Sequence, residues 1–91
     1  MTMNAVWQNV DGGDVVPALQ RACETLDSAG GEVLLDFSLV SRMDASAIRA
    51  MEKLAALAEE RAVQVVLRGV HVDVYKVLKL TKLTPRFSFL N

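Results

Sequence analysis

Asp44 and Ser46 are the residues of this chain whose types and spacing come nearest to a chemical site. They lie in VSRMDASAIRAM (40–51), where an apolar stretch gives way to a helical pattern. An Asp at that corner can cap the helix. Its carboxylate accepts from the N–H of Ser46 or Ala47, and its charge meets the positive helix end. The small residues after it leave the helix N-terminus open to a partner or an anion. A phosphoryl group added to a hydroxyl there would meet the same positive end and a nearby carboxylate, so it would change the local charge sharply. The plain alternative is that Asp44 caps and does nothing more, and that the Ser46 hydroxyl bonds locally or to solvent.

The other candidates each have two readings. Ser38 and Ser41, in the loop before Asp44, could widen a polar recognition surface or satisfy loop backbone groups. Arg42 and Arg49 could pair with an acidic partner or be simply solvated. Met43 could be a soft contact or a core plug, and Trp7 could pack on a sheet or mark an exposed contact. Cys23 falls on an apolar helix face and reads as core. His71 stands in a turn before a helix, with no Cys, Asp or His arranged around it, which suits a surface or capping role. A Ser/His/Asp triad can be assembled on paper, but no nucleophile elbow or oxyanion motif supports it. The reading is therefore not an enzyme. One His and one Cys, far apart and without CxxC or HExxH spacing, give no metal site. DGG (11–13) and AGG (29–31) are too short to cradle phosphate, and no cofactor is expected.

The elements that must position these residues follow from pattern. With 91 residues and 52% of them apolar, the chain fits a single domain over 1–91 with a packed core. A formal net charge of −1 gives no basic footprint for nucleic acid. No apolar run reaches 18 residues, so no membrane insertion is expected, and the first residues do not read as a signal peptide. With one cysteine and no intrachain disulfide, the simplest location is the cytoplasm. AVWQNV (5–10) reads as a strand ended by DGG. Asp14 can cap a helix carrying Val15, Leu19, Cys23 or Ala22, and Leu26 on one face, stopped at SAGG (28–31). EVLLDF (32–37) is a nearly continuous apolar run, suited to a strand covered on both faces. A helix from Asp44 puts Ile48, Met51, Leu54 or Ala55, and Ala58 on one side. VQVVLRG (63–69) is a second buried strand. A helix with Val74, Val77 and Leu78 on one face follows, and after Pro85 RFSFL (86–90) forms a last short strand. The order β-α-β-α-β-α-β predicts an α/β fold: a small, mostly parallel sheet with helices packed mainly on one face.

The run from Val33 to Val70, VLLDFSLVSRMDASAIRAMEKLAALAEERAVQVVLRGV, resembles the middle of a STAS domain, the fold of bacterial anti-sigma factor antagonists. Asp36-Phe37-Ser38 is similar to the family's Asp-apolar-Ser/Thr element. Asp44-Ala45-Ser46-Ala47 is similar to its helix-opening Asp-Ser-Ser/Thr-Gly, Arg68-Gly69-Val70 to its turn, and Val74 to Leu83 to its last helix. The resemblance spans about residues 32 to 90 and implies a partner-binding module. The partner would be an anti-sigma factor with a kinase-like domain, docking on Ser38, Ser41, Arg42, Met43, Asp44, Ala45, Ser46 and Arg49. In the family the residue after the helix-opening Asp is often phosphorylated. Here it is Ala45, which has no hydroxyl, and Ser46 one step on is turned by about 100° along a helix. Many members begin with a two-strand hairpin, whereas this chain has room for one strand, leaving a barer edge that can pair with another chain in a homodimer. The same resemblance also fits a small STAS subunit bracing the ATPase of a lipid-transport ABC system. Some STAS domains bind nucleotides.

Overall fold

The structure, a computed structural model, describes residues 5–10, 13, 15–26 and 31–90, with the backbone alone at 5–7. The Asp14 cap, the helix stop at Ser28, Ala29 and Gly30, and the side chain of Trp7 lie outside the described residues. The elements run β1 (Ala5–Asn9), α1 (Val15–Thr25), β2 (Glu32–Asp36), α2 (Ala45–Glu60), β3 (Gln64–Arg68), α3 (Val72–Leu80), a 3-10 turn (Thr84–Arg86) and β4 (Ser88–Leu90). Pro85 sits inside the 3-10 turn, so Arg86 and Phe87 precede the last strand instead of opening it. The four strands form one sheet in the order β1-β2-β3-β4, and all three ladders are parallel.

All three helices lie on the same face of the sheet, as right-handed crossovers that step the same way require. Burial agrees. Val33 and Leu35 of β2 and Val65 and Leu67 of β3 point to that face. They form one core with Ala18, Leu19 and Ala22 of α1, Met51, Leu54 and Ala55 of α2, and Val74 and Leu78 of α3. On α1 it is Ala22 that faces the core, while Cys23 is only half-buried. On β2 the expectation of cover on both faces is corrected: Val33 and Leu35 are buried, while Glu32, Leu34 and Asp36 are half-exposed. The run was apolar on both sides, but the helices cover only one. Val66, partnered with Leu34 in the ladder, is buried on the far face, outside the main core.

α2 forms readily because its 16 residues contain no Gly or Pro and are rich in Ala and Glu. It ends without glycine. Val63 N–H reaches Ala58 O at 2.9 Å and Ala62 N–H reaches Glu59 O at 3.3 Å, with Ala62 left-handed at φ 55°. α3 closes the same way, through Leu83 to Leu78 and Lys82 to Lys79, with Lys82 at φ 62°. Among the described residues, no helix is long and apolar enough to cross a membrane.

Candidate functional site

The loop between β2 and α2 leaves the sheet at the C-terminal ends of the parallel strands. Two side chains pin it. Phe37 and Val40 are fully buried, and Val40 N–H bonds Phe37 O at 2.9 Å. Between them Ser38 and Leu39 are turned out, Leu39 with 67% of its surface exposed. The loop is also tied to the β3–α3 turn. Phe37 N–H donates to Arg68 O at 2.8 Å, and His71 Nε2–H donates to Ser38 O at 2.9 Å. Gly69 lies directly against Ser38. His71 occupies the N-cap position of α3 without a side-chain cap bond, because its ring is engaged by the loop. That ring therefore holds a backbone carbonyl, which is a bracing role and not that of a base poised on a hydroxyl.

Asp36 secures the start of the loop. Its Oδ1 accepts from Ser38 N–H at 2.9 Å. Hydrogen bonds from Ser38, through its side chain first and its backbone second, hold the Asp36 carboxyl below the ordinary carboxylate range. A depressed folded-state value means that this contribution to stability is present above the unfolded pKa and is lost as pH falls through the folded one. Unfolding measured in urea from about pH 5 down to pH 2 should therefore decline more steeply in the wild type than in Asp36→Asn, which has no carboxylate to titrate. Parallel curves would mean that Asp36 does not fasten the loop.

At the other end Asp44 caps α2. It has extended backbone (φ −92°, ψ −178°), its Oδ1 accepts from Ala47 N–H at 2.9 Å, and its carbonyl accepts from Ile48 at 3.0 Å. Of the two amides open to the cap, the bond goes to Ala47. Ala47 itself is buried against the core, so its small side chain lets α2 approach α1.

The predicted site residues separate by exposure. Ser38, Ser41, Arg42, Asp44, Ala45, Ser46 and Arg49 are all exposed. Met43 is half-buried: it packs against the core and also lines a cleft. Arg42, Met43 and Asp44 form one wall of a cleft whose other wall is Gly13, Val15, Val16 and Pro17. Ser46 and Arg49 instead line a groove between α1 and α2, with Lys53 and Cys23. Ser38, Ser41 and Ala45 line neither hollow. The sequence does not single out Leu39 and gives His71 only as a surface or capping residue; the bond from His71 reaches the loop from 33 positions away, which no local pattern signals.

The strand order runs one way without reversal, so it opens no crevice of the kind that holds cofactors in doubly wound sheets. Among the described residues, no group of three or more His, Cys, Asp or Glu could hold a metal ion. Chemistry aside, the loop and helix tip form an exposed surface fastened from below.

A profile of the STAS domain matches residues 14–91. The chain belongs to the STAS family. Among solved structures, this STAS domain superposes on a Thermotoga maritima protein provisionally named an anti-sigma factor antagonist, with a TM-score of 0.77 at 14% identity, covering 100% of this chain and 82% of that one. It superposes also on the anti-sigma factor antagonist SpoIIAA in its unphosphorylated form, with a TM-score of 0.65 at 14% identity, covering 100% of this chain and 83% of the other. At that identity the likeness is one of fold. A search of curated proteins finds no match.

Proposed function

We propose that this STAS domain is a protein–protein interaction module of the anti-sigma factor antagonist type, docking a kinase-like anti-sigma partner through the loop 38–44 and the first turn of α2. The observation that carries this reading is the exposed tip capped by Asp44 and braced by Asp36, Gly69 and His71. A loop already held in place loses little conformational freedom when a partner binds, which favours recognition. Membership of the family and the fold shared with anti-sigma factor antagonists support the same role.

Ala45 changes how such a module is controlled. A kinase acting at the position after the cap finds no hydroxyl there, so docking is constitutive, or is governed by the partner or at another hydroxyl. The nearest hydroxyl, Ser46, opens on the groove beside the tip.

The test is affinity capture from the native host, with bound proteins and the state of Ser46 identified by mass spectrometry. Asp44→Lys is expected to reduce capture at least about tenfold, which corresponds to about 1.4 kcal/mol. Losing the cap costs only about 1 kcal/mol, so the variant stays folded. Asp44→Asn caps as well as Asp and separates the charge from the cap. It should stay as stable as the wild type and bind less. Capture unchanged in Asp44→Lys would refute the docking assignment. Recovery of an ABC-type ATPase in place of a kinase-like protein would move the domain to the lipid-transport role.

A further inference from the structure

From the groove between α1 and α2 we infer a second docking surface, one that receives an acidic amphipathic helix of a partner protein. Its floor is apolar and half-open: Val16 and Cys23 from α1, and Ala50 and Leu57 from α2, pack on the core without being sealed by it. Its α2 rim is cationic. Arg49 and Lys53 stand four residues apart on one stripe of α2, and Arg61, the C-cap residue, follows eight residues on. The α1 rim offers one acid, Glu24, and Arg61 also has Glu60 at 3.9 Å. Arg49 and Lys53 have no ion pair among the described residues.

This arrangement works against the helix that bears it. Like charges four apart on a helix destabilise it mildly. Glu52 stands three residues from Arg49 and Glu24 lines the opposite rim, but neither forms an ion pair with Arg49 or Lys53 among the described residues. A partner with carboxylates along its flanks and apolar residues toward the floor would offset it. Apolar anchors at i, i+3, i+4 and i+7 are how a helix fills such a groove. α2, at 16 residues, is about 24 Å long, which gives a helix of ordinary length a full track to lie along. The recessed floor suits a convex helix better than a flat membrane. No aromatic side chain lines the groove to stack a nucleic-acid base.

Cys23 supplies the test, because it is the chain's one cysteine and lies in the groove floor. Burial raises its thiol pKa, so labelling is run at a fixed mildly alkaline pH. The probe is a synthetic helical peptide of about 18 residues with Leu at the groove-facing positions and Glu elsewhere, and its twin carries Lys for every Glu. The Glu peptide should slow iodoacetamide alkylation of Cys23 at least fivefold (an order-of-magnitude expectation), and added salt should weaken the effect. The Lys twin should protect little. Arg49→Glu combined with Lys53→Glu, both exposed positions, should abolish protection by the Glu peptide and transfer it to the Lys twin. Asp44→Lys should leave protection intact, since Asp44 does not line the groove, and this distinguishes the groove from the tip although Ser46 and Arg49 border both. Equal protection by the two peptides, no protection by either, or protection by phosphatidylglycerol vesicles alone would overturn the inference.

Discussion

Phe37→Ala should remove about 3–5 kcal/mol of folding stability, the range for emptying a fully buried aromatic site. Phe37 has no exposed surface and stands between the last residue of β2 and the loop of the candidate site. Its backbone bonds to Arg68 and Val40 can persist in the variant. What is lost is packing, at the point where sheet and loop are joined. For a chain of this size the total margin is roughly 5–14 kcal/mol, so the substitution consumes a large part of it. Thermal unfolding followed by circular dichroism should show a fall of roughly 15–30 °C. Leu39→Ala, two residues on and largely exposed, should change stability by no more than about 0.5 kcal/mol. A loss below about 1.5 kcal/mol for Phe37→Ala would mean that the side chain does not anchor the loop.

Gly69→Ala should cost about 3 kcal/mol, from two sources of similar size. Gly69 has φ +70°, where a Cβ is strained by roughly 1–2 kcal/mol. A Cβ there would also lie 3.0 Å from Ser38 Cβ, 3.2 Å from its Cα and 3.3 Å from its N. Backbone cannot swing aside as a long side chain can, so the loop itself must move, at about 1–3 kcal/mol for such overpacking. Urea denaturation should show a lower midpoint with an unchanged slope. Adding Ser38→Gly removes the shortest of the three contacts and leaves both backbone contacts and the strain, so the double variant should recover only part of the loss. Full recovery would place the clash in the Ser38 side chain alone. No loss in Gly69→Ala would show that the two turns do not touch as described.

Much of the frame was legible in the residues. Alternating apolar strands and amphipathic helices give the α/β order, and the apolar runs 32–37 and 63–69 read as buried strands. Asp44 was readable as a cap because capping depends on the three residues after it. The hidden part is whatever depends on distant residues. His71 gripping Ser38, and Gly69 fitting against it, join turns that only the β2–β3 pairing brings together. Leu34 could not be separated from Leu35 by hydropathy, since the side of the sheet left uncovered is set by the direction of three crossovers. The helix ends at Ala62 and Lys82 carried no glycine to announce them.

Those two residues have a consequence for engineering. Both are non-glycine positions held in left-handed geometry, and both lie where a helix returns to the sheet, at the opposite pole from the braced tip. Whatever conformational tension they store is therefore spatially divorced from recognition. A designer can harden the scaffold from beneath while its upper surface evolves undisturbed.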